Sequence, residues 1–351
     1  MTSKRKCALI VLDGLGDRAY SRFGHKTPLA AAQTPNLDRL AERGANGLYH
    51  AGRPGIPLPS ENAHFAMFGF PEEDFPGRGP LEALGAGVDL KEDDVAVLSH
   101  FCSVEVRNHC LHLERDTPEK PDEVELDELF RAVASFEAKS LRLRMERCKG
   151  LFGVIVISGG ADPSVTDSNP MVDGRAISEI LPVRGAPPAA ERTAAALKAY
   201  LVHIHKTLHS HPVNAARRKK GLFPINAAVT QRAGRLKTVA PFGERFGLRG
   251  LSVSSGIIYH GLCAFAGMDV IKAAESDDPG HDLARRLATA REAFADYDFI
   301  HIHTKAPDMA AHKKDPDLKK AVIESLDGGL GAEVFKLLED PDMVVAVTAD
   351  H

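Results

Sequence analysis

The sequence predicts an α/β fold in which the two ends of the chain build one sheet domain and the middle forms an insertion with its own small core. Three observations carry this expectation. Apolar runs of strand length alternate with helical patterns up to about residue 94. The same alternation returns after Gly250. Between roughly Val95 and Gly250 the periodicity is mixed and proline is frequent. Recurring strand–helix units imply a sheet covered by helices.

The elements follow in order. Cys7–Leu12 is a continuous apolar run, as in a parallel strand buried on both faces. Thr34 as N-cap, Pro35 in the first turn and Gly44 past the end bracket a helix. A Gly/Pro-rich loop, Gly52–Pro59, leads to Ser60 and a helical pattern through Phe68. In the middle, Leu151–Ile157 reads as a strand. Glu191–Ser210 is the clearest helix, with Leu197, Tyr200, Leu201, Ile204 and Leu208 on one stripe. Towards the end, Leu283–Phe294 is helical and Phe299–His303 is a strand. Leu318–Leu326 and Val334–Leu338 read as two helices, and Met343–Val347 as a strand.

A length of 351 residues suggests about two domains. Hydrophobic residues at 44% and charged residues at 26% exclude a disordered or collagenous chain. No apolar run approaches the ~18 residues of a membrane helix. A net charge of −4 offers no global positive field for nucleic acid. The five cysteines are scattered without C-x-x-C spacing, which argues against disulfides or a thiolate zinc site. MTSKRKCALIVLDG has basic residues and a short apolar run but no small-residue cleavage site. It reads as a first core strand rather than a signal peptide, so the cytoplasm is the expected compartment.

Three clusters of chemistry-bearing residues stand where strands end, the usual place for sites in open α/β sheets. They are Asp13 in V-L-D-G-L-G-D, Ser60 in P-S-E-N-A-H, and the double set Asp308/His312 and Asp350/His351. Asp308 and His312 are four residues apart, so one helical face presents both to one ion. Oxygen and imidazole ligands suit Mn²⁺, Mg²⁺, Zn²⁺ or Co²⁺. A serine beside two metal ions is an activated hydroxyl, and two cations clamp a phosphoryl group in transfer. Singly, each residue has an ordinary reading as turn, cap, helix surface or chain end. Together, at strand ends, they read as a metal site.

The chain resembles the cofactor-independent phosphoglycerate mutases of the archaeal type, in the alkaline phosphatase superfamily, over nearly its whole length. The resemblance rests on V-L-D-G-L-G-D (11–17), T-P-N-L-D-R-L-A (34–41), S-E-N-A-H-F-A-M-F-G-F (60–70) and G-R-G-P-L-E-A-L-G-A-G (77–87). It continues through H-P-V-N-A-A-R-R-K-K-G-L-F-P-I-N (211–226), A-G-M-D-V-I (266–271), D-Y-D-F-I-H-I-H-T-K-A-P-D-M-A-A-H (296–312) and V-T-A-D-H (347–351). It implies an alkaline-phosphatase-like core of residues 1–94 and 251–351, a mostly parallel sheet sandwiched by helices. An inserted smaller α/β domain, 95–250, would close over the substrate. The implied reaction interconverts 3-phosphoglycerate and 2-phosphoglycerate through a phosphoserine at Ser60.

The resemblance also implies two divalent ions. Asp13, Ser60, Asp350 and His351 would hold one, and Asp308 and His312 the other. His64, Arg78, Lys305 and the Glu114-Arg115-Asp116 cluster would face the substrate. Arg115-Asp116-Thr117-Pro118 is similar to an R-D-x-P segment of the larger bacterial and plant mutases, where the acid moves protons. In Gln231-Arg232-Ala233-Gly234, either Arg232 takes the role of the arginine in the family's R-G-A-G from the next position or that substrate contact is lost.

This chain departs from the family pattern in places. Glu61 and Asn62 stand where archaeal members have S-D-T-A-H, and Pro307 and Ala311 alter K-G-T-D-E-A-G-H. Family members continue past T-A-D-H, where a further histidine completes the second metal site. A chain ending at His351 is thus expected to be C-terminally truncated, with only Asp308 and His312 at that site. The rival functions are a metal-dependent phosphohydrolase on the same scaffold and an inactive form that binds a phosphorylated ligand. His203, His205, His209 and His211 read as a solvated helix face, and Arg217-Arg218-Lys219-Lys220 as a surface loop of the insertion.

Overall fold

The protein is described from a computed structural model, which covers residues 5–56, 58–119 and 121–351. Met1–Lys4 of the basic opening and Pro57 of the expected 52–59 loop lie outside the described residues. In chain order the first elements are β1 (Lys6–Leu12), α1 (Pro28–Ala31), α2 (Pro35–Arg43), α3 (Ser60–Met67) and α4 (Arg78–Ala86). Next come β2 (Val95–Arg107), β3 (Cys110–Arg115), α5 (Glu123–Ala132), β4 (Ser135–Ala138), β5 (Leu141–Lys149) and β6 (Phe152–Ser158). The segment continues with α6 (Pro188–His209), α7 (Pro212–Lys219) and β7 (Ala227–Arg235). The last elements are α8 (Phe242–Phe246), β8 (Gly250–Ser254), α9 (Ile257–Phe265), β9 (Asp269–Lys272), α10 (Pro279–Ala293), β10 (Phe299–Thr304), α11 (Ala306–His312), α12 (Pro316–Leu337) and β11 (Met343–Thr348).

The chain divides into two compact units. One is Met1–Phe75 with Val239–His351, the other Pro76–Thr238. The cuts fall at 75/76 and 238/239 rather than at 94/95 and 250/251. α4 belongs to the second unit because Gly79 lies directly against the β2 backbone: a Cβ there would sit 2.1 Å from the Ala96 carbonyl. α8 belongs to the first, where Phe242 N–H donates to Ala266 O (2.7 Å).

The first unit carries a five-stranded sheet in the order β11-β1-β10-β8-β9, with every neighbouring pair parallel. Ile10, Leu12, Ile300 and Ile302 of its central strands are buried with Leu283, Leu287, Leu326 and Leu330 of α10 and α12. Parallel strands end at the same edge of a sheet, so the carboxyl ends of β11, β1 and β10 lie side by side. The second unit is built on an antiparallel sheet, order β3-β2-β6-β5-β4 with β7 also on β2. Its core joins Phe101, Phe130, Leu143 and Ile155 to the α6 stripe of Leu197, Tyr200, Ile204 and Leu208.

Two local expectations change. The helices foreseen at 318–326 and 334–338 are one helix, α12. Its glycines do not break it. A Cβ on Gly329 would stand 2.0 Å from the Gly280 carbonyl, so this glycine lets α10 and α12 approach closely. Thr34 occupies the N-cap of α2, but its hydroxyl donates to the Asp38 carboxylate (3.3 Å) and caps no backbone N–H. The Asp327 carboxylate of α12 instead accepts from the N–H groups of Asn36 (3.2 Å) and Leu37 (2.8 Å), and from Asn36 Nδ2 (2.9 Å). A carboxylate at a helix N-terminus also suits the dipole. Asp327→Ala should therefore cost about 2 kcal/mol in urea unfolding, the scale of a lost cap with buried donors left unpaired. A change within experimental error would show that water replaces the carboxylate.

Among the described residues, no helix is long and apolar enough to cross a membrane.

Candidate active site and metal centre

β1 ends at Leu12, and Asp13 follows with no exposed surface. Its backbone is held on both sides: Asp13 N–H donates to Thr304 O (3.0 Å), and Asp308 N–H donates to Asp13 O (3.0 Å). Gly14 then turns the chain at φ 67°, and its N–H donates to Asp350 Oδ1 (2.9 Å). Only glycine fits here, since a Cβ would lie 2.7 Å from Asp308 Cβ. Gly16 N–H donates to His351 O (3.0 Å). The loop after β1 is thereby joined to the residues that follow β10 and β11.

Asp13, Asp350 and His351 offer ligand atoms all within 4.8 Å of one another. Asp350 Oδ2 lies 3.0 Å from His351 Nδ1. Asp308 stands beside them, its Oδ1 3.8 Å from His351 Nε2 and 3.5 Å from His312 Nε2. Its Oδ2 is 3.2 Å from Lys305 Nζ. Asp308 is buried while the His312 side chain is 78% exposed, so this pair faces solvent at one end.

The electrostatics are those of a site short of positive charge. Burial, then repulsion from Asp350, pushes the Asp13 carboxyl up to about 6. Burial also opposes charge on Asp350, but His351 and the Gly14 N–H outweigh it and hold that carboxyl below its usual range. The bond to Asp350 raises the His351 imidazole. The buried Asp13 Oδ1 lacks a hydrogen-bond partner, and the buried Asp350 Oδ2 faces His351 Nδ1. Two such carboxylate oxygens beside an imidazole fit a divalent cation, which would neutralise them.

Ser60 is the first residue of α3, after Pro59. Four residues on, His64 is fully buried and its Nδ1 donates to the Ser60 carbonyl (2.8 Å). His64 thus lies beneath the nucleophile candidate, and its Nδ1 is 3.9 Å from Asp350 Oδ2. Burial lowers its pKa and keeps it neutral.

Tyr259 and His303 were not legible as site residues. Tyr259, on α9, is buried, and its hydroxyl donates to Asp13 Oδ2. His303 Nε2 lies 3.1 Å from the same oxygen. Burial holds His303 well below its usual pKa. Its neutral ring must therefore carry the proton on Nε2 to donate to the carboxylate. The one available signal was His301 and His303, polar residues at i, i+2 in an otherwise apolar strand.

The remaining expected substrate residues lie in the second unit. Arg78 pairs with Glu82 one turn along α4 (3.1 Å). Asp116 Oδ1 meets His100 Nε2 at 2.9 Å, and that imidazole holds the carboxyl below its usual range. Arg115 is 3.4 Å from Asp173, and Ser103 donates to Glu114 (2.8 Å). Arg232 has a positive φ of 54°, with its N–H on Asp167 (2.7 Å). The histidines of α6 have protein partners: His205 bonds Asn226 O (2.9 Å), and His209 lies against Arg218 (3.4 Å). Arg217 is buried on Glu125 (3.0 Å) within α7, so the basic run is partly core and not a surface loop.

Comparison with known proteins places these features in a lineage. A family model described as 2,3-bisphosphoglycerate-independent phosphoglycerate mutase matches residues 41–214. The mutase of that name from Methanopyrus kandleri is 35% identical over 352 residues, covering 99% of this chain and 83% of its own. Mutase 2 of Methanocaldococcus jannaschii is 36% identical, with 99% and 80% covered. Among solved structures, the cofactor-independent phosphoglycerate mutase of Thermoplasma acidophilum superposes with a TM-score of 0.65 at 30% identity, covering 99% of this chain and 87% of that one. A Pyrococcus horikoshii protein superposes with a TM-score of 0.79 at 28% identity, with 99% and 82% covered.

Proposed function

The chain belongs to the 2,3-bisphosphoglycerate-independent phosphoglycerate mutase family, and on that premise we propose the route by which it interconverts 3-phosphoglycerate and 2-phosphoglycerate: phosphoryl transfer to Ser60 and back. The activity is that of a glycolytic isomerase. The observation that carries the route is the meeting of Asp13, Asp350 and His351 at three ligand atoms within 4.8 Å, at the ends of β1 and β11.

In this reading the first unit is an alkaline-phosphatase-like core. Asp13, Asp350 and His351, with Ser60, hold one divalent ion; Asp308 and His312 hold a second. When bound, such ions lower the pKa of the serine hydroxyl and offset charge on the phosphoryl oxygens. Ser60 Oγ forms the bond to phosphorus, and the bond to the departing glycerate oxygen breaks. That oxygen takes a proton. The other glycerate hydroxyl then attacks the phosphoserine, loses its proton and releases Ser60. Asp116 is the proposed proton carrier for the glycerate hydroxyls, because a carboxylate bonded to His100 stays ionised and able to accept. Lys305, beside Asp308, supplies positive charge for the phosphoryl group. Arg78, Arg115 and Arg232 are the proposed contacts for substrate anions, where guanidinium geometry suits carboxylate and phosphate. His64 supports Ser60 from below through its carbonyl. The cytoplasm is the proposed compartment.

The test is a product assay without 2,3-bisphosphoglycerate. The metal-free chain should convert neither isomer, and added Mn²⁺ should restore isomer formation with little free phosphate. Phosphate as the main product would favour hydrolysis. Full turnover after exhaustive chelation would remove the metal from the mechanism.

A further inference from the structure

The Tyr259 hydroxyl makes a contact that no metal-ligand pattern requires. It donates to Asp13 Oδ2. His303 Nε2 brings a second donor to Asp13 Oδ2 at 3.1 Å. A carboxylate oxygen accepts about two hydrogen bonds, so Oδ2 is filled. Oδ1 of the same carboxylate is buried and has no partner.

We propose that Tyr259 is a positioning residue: together with His303 it occupies Asp13 Oδ2 and leaves Oδ1 as the single oxygen Asp13 presents to a divalent ion. The proposal rests on the metal assignment above. His303 is itself braced, because Arg286 Nη1 donates to its carbonyl (2.7 Å). The Tyr259 ring packs 3.8 Å from the His303 ring and 4.8 Å from the His64 ring, centroid to centroid. Partners behind a ligand select its orientation and tune its basicity. Here the hydroxyl comes from a helix that carries no proposed ligand.

Tyr259→Phe removes the hydroxyl and keeps the ring stack. In the full chain, stripped of metal and titrated with Mn²⁺ by calorimetry, the variant should bind about 10- to 100-fold more weakly than the native chain. At saturating Mn²⁺ its kcat should fall while KM stays within about twofold, since the hydroxyl holds the ligand carboxylate and not the substrate. Adding Tyr259→Phe to Asp13→Asn should leave Mn²⁺ affinity unchanged, because the clamp acts through that carboxylate. A residue that only packs would lower the melting temperature and leave Mn²⁺ affinity alone. Native affinity in Tyr259→Phe therefore overturns the clamp while leaving the metal assignment standing. Native-chain Mn²⁺ binding that Asp13→Asn does not weaken overturns the metal assignment, and the clamp with it.

Discussion

Ser60→Ala should form no phosphoenzyme and should lose turnover by on the order of 10⁴-fold or more, the scale seen when a nucleophile is removed. The fold should be untouched. Ser60 opens α3 as its first residue, and the cap position before it is Pro59. The bond that ties this turn to the core uses its carbonyl, which accepts from His64 Nδ1 (2.8 Å) and survives in alanine. Intact-mass analysis after mixing with either phosphoglycerate reads the covalent intermediate, and a coupled assay reads turnover. A variant with most of its activity would end the phosphoserine route.

Asp13→Asn should separate stability from function. The native carboxyl is pushed up to about 6, above its ordinary 3.8, by burial and by Asp350. The folded metal-free chain thus holds this proton more tightly than the unfolded one. As pH rises from about 4 through about 6, the unfolded chain gives up the proton first and folding stability falls, by about 3 kcal/mol once both states are ionised. Asparagine carries no charge and keeps one oxygen for Tyr259 and His303. The metal-free variant should therefore melt a few degrees higher than the native chain at pH 7, with the gain fading below about pH 4. Metal analysis should show less ion retained at this site, and turnover should drop on the order of 10³-fold, the worth of several kcal/mol of metal stabilisation. Unchanged metal content with a lower melting temperature would make Asp13 a structural turn residue.

Much of the first unit was readable along the chain because its signals are local. β1, β10 and β11 are short apolar runs, α2 follows from its cap, proline and stop glycine, and α3 and α10 from helical patterning. The second unit was poorly readable. Its β5 alternates buried and more exposed positions and leaves no continuous apolar run, whereas β6 is such a run and is legible as a strand. The stretch between 326 and 334 carried no helical reading, and the close crossing of Gly329 with Gly280 explains why α12 runs through it.

The sequence by itself determined the inventory of the site: carboxylates and imidazoles at strand ends, a serine opening a helix, and family motifs in order. Those are properties of residues and their near neighbours. Tertiary structure alone decided how they meet. The parallel order β11-β1-β10 brings Asp13, Asp308 and Asp350 together from opposite ends of the chain. Tyr259 reaches Asp13 across a separation of 246 residues, and Asp327 caps α2 across 291. No periodicity encodes such pairs. They form because a buried carboxylate must find donors wherever the folded sheet supplies them.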